Sequence, residues 1–176
     1  MGRRWRRERP VGIATAVAGF LGLTAVGVYL PDIDQGLPFL THRSGLTHSV
    51  LPIVALWRLL PPALMGGLAL GIAVTLAADL FPEAWTGFAT IHLPFVGSIG
   101  LLSAPWIAVN MLIACAVAHR EIARADGRRA LVLSYLVAAP LAAAAYSLGN
   151  EQKILPLLAF LGAWLGVLAY AGTRRR

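Results

Sequence analysis

The side chains most able to do chemistry in this 176-residue chain lie in two short polar stretches. The first reads Leu-Pro-Asp-Ile-Asp-Gln over 30–35 and continues as His-Arg-Ser-Gly-Leu-Thr-His-Ser over 42–49. The second begins at Asp79 and runs through Glu83 to His92. Together they hold four of the eight acidic residues and three of the four histidines. Such crowding of scarce ligand types indicates a metal or substrate site.

The combination of imidazole and carboxylate groups favours a divalent transition metal over Ca²⁺ or Mg²⁺. A catalytic zinc site commonly uses three protein ligands and leaves one position for water. The predicted ligands are Asp34, His42, His48 and Asp79. Asp32 is then a general base, a further ligand or a residue that supports the ligands. The metal expected from this set is Zn²⁺ or Mn²⁺.

The placement of the carboxylates also favours a bound cation. Asp32 and Asp34 follow the end of one predicted helix, and Asp79 closes another. Helix C-termini carry partial negative charge, which disfavours a carboxylate by about 0.3–1 kcal/mol. A cation reverses the sign of this term. Arg43 is suited to hold an anionic substrate group such as phosphate, so Asp32 and Arg43 are the predicted catalytic residues.

Simpler roles remain open for each of these residues taken singly. Two aspartates after a proline also form turns, and Ser44 or Thr47 could cap a helix. His48 could be an ordinary side chain at the membrane surface. Asp79 could form a salt bridge with Arg43.

The elements that must position these residues are membrane-spanning helices. Hydrophobic residues make up 58% of the chain and charged residues 13%, about half the charge of a soluble domain. A helix crosses a bilayer with about 20 apolar residues. The sequence therefore predicts an all-α, polytopic transmembrane bundle of about six helices, of which the second is the shortest. The predicted segments are 11–30, 45–60, 62–78, 99–118, 130–148 and 154–173.

The distribution of basic residues predicts the orientation. With the N-terminus inside, thirteen arginines lie on the cytoplasmic side and only Arg43 and Lys153 lie opposite. We therefore expect a bacterial-type inner membrane protein with both termini cytoplasmic and its polar loops outside. The net charge of +7 is explained by the bilayer, so no nucleic-acid partner is expected. The predicted organisation is a basic leader at 1–10, one transmembrane domain at 11–173 with motif loops at 31–48 and 79–98, and a basic tail at 174–176.

Two glycine pairs have the spacing that lets membrane helices pack closely. They are Gly67 with Gly71, and Gly162 with Gly166. Both pairs predict ordinary packing within the bundle.

The string Leu-Pro-Asp-Ile-Asp, followed by His-Arg and Thr-His-Ser, resembles the YdjM-like family of membrane-bound predicted metal-dependent hydrolases. The resemblance covers residues 30 to about 98. One residue more separates Arg43 from Thr47 than in the usual family motif, and Thr75 stands where that family has a histidine. The family's histidine near the start of the first helix has no counterpart, so Glu83 or His92 could complete a ligand set. The matching positions are Asp32, Asp34, His42, Arg43, Thr47, His48, Ser49 and Asp79.

The resulting hypothesis is hydrolysis of a phosphate or carboxylic ester, in a lipid or lipid-linked substrate, at a metal site outside the cytoplasm. One alternative is a non-catalytic membrane protein that keeps the motif for structure or partner binding. A transporter or channel is the other. Transport would require ionisable residues deep in the spans, and the sequence places none at their middles.

Overall fold

The computed structural model describes residues 10–125 and 127–173 and is almost entirely helical there. The predicted tail, and the leader apart from Pro10, lie outside these residues. A two-stranded antiparallel sheet pairs His92–Leu93 with Gly97–Ser98. A π-helix at Ala145–Asn150 extends the fifth α-helix, and three 3₁₀ turns occupy Pro31–Gly36, Gly87–Ala89 and Gly100–Leu102. The α-helices of the described chain are α1 (Pro10–Tyr29), α2 (Leu51–Leu56), α3 (Pro62–Asp79), α4 (Ser103–Arg124), α5 (Arg128–Ala144) and α6 (Leu155–Thr173).

Five helices of the described residues are long and apolar enough to cross a membrane. This confirms the predicted all-α transmembrane bundle. The five segments are Gly12–Tyr29, Pro62–Asp79, Gly100–Arg124, Arg129–Asn150 and Leu155–Thr173.

The prediction of a second spanning helix over 45–60 is wrong, because this segment is helical only at α2. Polar side chains before α2 form local bonds that compete with helix formation. The Thr47 hydroxyl shares its one proton between the Ser44 carbonyl at 3.1 Å and Asp34 Oδ2 at 3.0 Å, and the Ser49 hydroxyl accepts from the Leu51 N–H. Pro61 and Pro62 close the segment at its other end, since a proline disfavours helical backbone in the residue before it.

Helix α3 is the centre of the bundle, and 83% of its residues are buried. It packs against α1 through glycines, because a Cβ on Gly67 would overlap the Phe20 carbonyl and one on Gly71 the Thr24 carbonyl. Residue numbers at these contacts increase together on the two helices, from Phe20 with Gly67 to Thr24 with Gly71. Helices α1 and α3 therefore run parallel. The glycine packing predicted for α3 is confirmed.

Parallel neighbours require the chain between them to return across the bundle, and the segment at 48–57 does so through the six residues of α2 and the irregular chain on either side of it. It follows α4 from residue 106 to residue 120. Its successive contacts are Trp106 Nε1–H to the His48 carbonyl at 3.1 Å, the Val50 N–H to Asn110 Oδ1 at 2.9 Å, and the Trp57 ring to the Arg120 guanidinium at 5.6 Å.

The ends of α1 and α3 and the start of α4 therefore share one end of the bundle, here called the site end. Lys153, just before α6, donates to the Phe81 carbonyl at 3.2 Å, so α6 also begins there. The described chain accordingly starts and finishes at the opposite end. Both motif loops lie at the site end.

Candidate functional site

The 3₁₀ turn after α1 presents Asp34 to the second half of the first motif. Asp34 is buried, and its Oδ2 accepts the Ser44 N–H at 2.8 Å and the Thr47 hydroxyl at 3.0 Å. Pro31 begins the turn with its fixed φ, which suits a first helical position. The carboxylate of Asp34 therefore joins the two halves of the motif across ten residues.

His48 lies fully buried beside this carboxylate. Its Nδ1 is 3.3 Å from Asp34 Oδ2 and 3.1 Å from the Thr47 hydroxyl oxygen, so a neutral ring with its proton on Nδ1 directs that proton towards these two oxygens. Its Nε2 then presents a lone pair on the other side. Nε2 faces Asp79 Oδ2 at 3.5 Å and Asp32 Oδ1 at 4.0 Å.

Arg43 holds the carboxylate at the end of α3. Its Nη2 lies 2.8 Å from Asp79 Oδ1, and its Nη1 donates to the Ala89 carbonyl at 2.7 Å. The salt bridge left open as an alternative is thus present. Arg43 has φ +53°, a left-handed conformation that costs energy for a residue with a side chain.

The second loop fixes the first through its backbone. The His92 N–H donates to the Arg43 carbonyl at 3.0 Å, and the Gly45 N–H donates to the His92 carbonyl at 2.8 Å. A Cβ at Gly45 would lie 2.6 Å from a terminal methyl group of Leu93, so a larger residue here would require that side chain to move. His92 therefore contributes to the site through main-chain bonds.

The cluster carries an excess of negative charge. Among the described residues of the cluster, the carboxylates of Asp32, Asp34 and Asp79 accompany one guanidinium, that of Arg43 on Asp79, so two negative charges remain when the histidines are neutral. Unpaired buried charge is costly in a protein interior. Three buried atoms of the cluster have no hydrogen-bond partner among the described residues: Asp34 Oδ1, His48 Nε2 and Asp79 Oδ2.

The pKa values of three groups in the first motif reflect this crowding. Burial raises the pKa of Asp32, and the negative charge of Asp79 adds to it. Burial also acts to raise the pKa of Asp34, but hydrogen bonds from His48 and Ser44 outweigh it and hold that pKa below its usual value. Burial lowers the pKa of His48, yet its bond to Asp34 and the surrounding carboxylates raise it more.

All six predicted site residues lie in one cluster. His42 is at its rim, with a 34% exposed side chain and Nδ1 3.9 Å from Asp34 Oδ1. Glu83 is an exposed loop residue. Thr75, one turn before Asp79, donates to the Val28 carbonyl and so fixes α3 against α1. Within residues 10–125 and 127–173, no three His, Cys, Asp or Glu side chains already form a group that could hold a metal.

Two supports of the cluster lie outside the predicted site residues. Ser44 and Thr47 were predicted as possible helix caps, but the Ser44 N–H and the Thr47 hydroxyl bind Asp34 instead. Trp106 and Asn110 on α4 hold the chain just beyond His48. A polar residue inside an apolar segment predicts interhelical hydrogen bonding for Asn110, with which its bond to Val50 agrees, whereas no sequence signal indicates Trp106.

Comparison of the chain with protein-family models, with curated proteins and with solved structures gives no significant match.

Proposed function

We propose that the protein is a membrane-bound hydrolase that uses a divalent transition metal, Zn²⁺ or Mn²⁺, held between His48 and Asp79. Its substrate is an amphipathic molecule with a phosphoester or carboxylic ester. In the reaction, a water oxygen bonds to the phosphorus or acyl carbon, the ester bond breaks, and the leaving oxygen takes a proton. The resemblance of the motifs to the YdjM-like family agrees with this class of reaction.

The observation that carries the proposal is the pair of facing acceptors His48 Nε2 and Asp79 Oδ2. Two buried lone-pair atoms 3.5 Å apart repel each other unless a cation lies between them. Ligands of a tetrahedral zinc ion with bonds of about 2.0–2.1 Å are about 3.3 Å apart, close to this separation. The donor types and the excess negative charge therefore fit a divalent metal.

The arrangement also gives the neighbouring residues distinct roles. Asp34 bonds Nδ1 of His48 and so orients the ring, as carboxylates behind metal-binding histidines commonly do. Arg43 fixes Asp79 rather than lying free for a substrate anion. This proposal therefore gives Asp34 and Arg43 positioning roles, where the sequence predicted a ligand and an anion-binding residue.

Asp32 is the proposed general base. Its side chain is 35% exposed, it lies 4.0 Å from His48 Nε2, and its raised pKa makes it a better proton acceptor than an ordinary aspartate. A bound metal would supply the remaining chemistry by lowering the pKa of water and polarising the ester. His42, at the rim, completes the ligand set or contacts the substrate.

The competing function is non-catalytic, with a proton in place of the metal. A protonated His48 would pair with Asp34 and Asp79 at once, and its raised pKa favours that state. The cluster would then serve to hold the loops together or to bind a partner.

Metal content separates the two functions. We expect about one transition-metal ion per chain in detergent-purified protein, measured by elemental analysis, and its loss in a His48→Ala, Asp79→Ala variant. A His119→Ala, Glu83→Ala variant removes a histidine and a carboxylate outside the cluster and should retain the metal. Absence of metal from every protein, even after incubation with Zn²⁺ or Mn²⁺, would overturn the hydrolase and favour the protonated cluster.

We also propose that the site end lies outside the cytoplasm of a bacterial-type inner membrane. Among the described residues, Arg58, Arg120 and Arg124 lie towards the opposite end, which agrees with the positive-inside rule. A Glu83→Cys variant in a Cys115→Ser background tests this. A membrane-impermeant maleimide should label it in intact cells, and labelling only after lysis would reverse the orientation.

A further inference from the structure

A crevice of about 630 Å³ runs along the exposed side of α1, between this helix and α5 with its π-helical extension. It begins at Leu21, near the middle of α1, and reaches Asn150 at the site end. A second crevice of about 500 Å³ shares Ala25 and Tyr29 with the first, and its lining includes Asp32. The two crevices therefore lead from the apolar middle of the bundle to a member of the carboxylate cluster.

The wall on α5 consists largely of small residues. Ala138, Ala142, Ala145 and Gly149 recur on one side of the helix and leave space that a larger side chain would fill. The α-helix changes to a π-helix at Ala145, and such turns occur often at functional sites.

The crevice opens towards the bilayer. Only 22% of the α1 span and 28% of the α5 span are buried inside the protein. An apolar space with this exposure is accessible to hydrocarbon chains of lipids. Transfer of such a chain from the bilayer gains little hydrophobic free energy, so the crevice would orient a chain rather than attract it.

Tyr146 links the crevice to the cluster. It lines the crevice, and its hydroxyl lies beside the Thr75 side chain. The Tyr146 hydroxyl also interacts electrostatically with the carboxylates of Asp32 and Asp79. A chain lying along α1 therefore ends next to the residues that would act on its head group.

We propose that this crevice holds the hydrocarbon chain of a lipid substrate whose ester or phosphoester lies at Asp32. The identity of the head group rests on the proposed function, whereas the location of the chain can be tested without turnover. The structural basis is the continuity of the two crevices and their shared contact with the site.

Photocrosslinking locates the chain directly. The protein is reconstituted in vesicles of phosphatidylethanolamine and phosphatidylglycerol, the latter carrying a diazirine in one acyl chain. We expect crosslinks mapped by mass spectrometry to concentrate at residues 21–29 and 138–149. Helix α6 is the internal control, because only 17% of it is buried and random labelling would favour it. Crosslinks on α6 as heavy as those on α1 and α5 would overturn the proposal.

Filling the crevice should exclude the chain. Ala142→Trp is the main variant, with Ala138→Phe as a second one in case the first does not fold. Val137→Trp is the control, because Val137 is exposed on α5 and does not line the crevice. The crevice variants should lose the crosslinks while keeping the metal, and the control should keep both. Crosslinks that persist in a folded crevice variant would contradict the inference.

Turnover gives a second readout that separates the two proposals. In Ala142→Trp, hydrolysis of p-nitrophenyl palmitate should fall about ten- to a hundredfold from misplacement of the ester, with hydrolysis of p-nitrophenyl acetate changed less than about twofold. Equal losses of hydrolysis rate for both esters would overturn the proposal that the crevice holds the hydrocarbon chain. If the wild-type protein hydrolyses neither ester, the carboxylic-ester form of the proposed function fails while the crosslinking map still decides the crevice.

Discussion

Helices α3 and α6 are close in length and apolar character, yet they occupy opposite situations in the bundle. They have 18 and 19 residues, and each contains a glycine pair spaced by four. The share of buried residues is 83% for α3 and 17% for α6. A Cβ on Gly71 would meet the α1 backbone, whereas a Cβ on Gly162 or Gly166 would have no heavy atom within 4 Å among the described residues.

The difference shows that the same spacing can mark an internal contact or a surface that faces outward. What distinguishes α3 is its last residue, since Asp79 belongs to the charged cluster. The tight α1–α3 contact fixes where α3 ends and therefore where Asp79 lies. Packing in the apolar middle and chemistry at the site end are parts of one arrangement.

The largest expected effect is the replacement of the central glycine. In Gly71→Val the new side chain would press on the backbone at Thr24, Gly27 and Val28, which cannot yield as a side chain could. We expect a loss of about 3 kcal/mol or more in stability, or failure to fold. Thermal unfolding in detergent measures it. Gly166→Val on α6 is the matched control and should unfold at the same temperature as the wild type. Equal losses of stability in the two variants would contradict the difference in packing between α3 and α6.

The next effect concerns the two cations that hold the site end from different sides. Arg43 contacts Asp79 itself, while the Lys153 ammonium group, just before α6, donates to the Phe81 carbonyl. Arg43→Gln should weaken Zn²⁺ binding about 10- to 100-fold, as loss of a residue that orients a ligand does. Lys153→Gln should change it less than about threefold. Competition with a chelator measures both affinities, and a larger effect of Lys153 would show that α6 also shapes the site.

The smallest effect compares two threonines. Thr75 donates to the Val28 carbonyl from a buried position on α3, and Thr173 donates to the Tyr170 carbonyl on the exposed end of α6. Thr75→Val should cost about 1–2 kcal/mol, because it leaves the Val28 carbonyl without its buried donor. Thr173→Val should lie within about 0.5 kcal/mol of the wild type. Unfolding temperatures that fall equally would refute the assignment of Thr75 as a contact between α1 and α3.

The apolar segments were sufficient to predict five spans, because twenty uncharged residues have few alternatives to a membrane helix. The segment at 45–60 was misjudged. The segment is apolar enough to resemble a membrane helix, but Ser44, Thr47 and Ser49 form local hydrogen bonds with the backbone. Hydropathy gives no information about such bonds. The two glycine pairs could not be told apart, since their spacing carries no information about the neighbouring helix.

The membership of the site was predictable, but its internal geometry was not. Rarity of charge in an apolar chain made Asp32, Asp34, His48 and Asp79 stand out. Which imidazole nitrogen each carboxylate faces depends on the fold of the turn at 31–36 and on where α3 ends. The turn depends on contacts of Asp34 with residues ten to fourteen positions away, and the end of α3 depends on packing against α1 across 47 positions, so no local pattern encodes them.

The crossing at 48–57 has a consequence for how the protein is made. Its helix, α2, has only six residues, so this segment cannot enter a bilayer alone, because the N–H and carbonyl groups at both helix ends would lack partners. Some of the required partners, the Trp106 indole and the Asn110 amide, belong to a helix that is synthesised about sixty residues later. The site must therefore mature after translation of α4. Newly made chains that stop before α4 should be targets for membrane quality control.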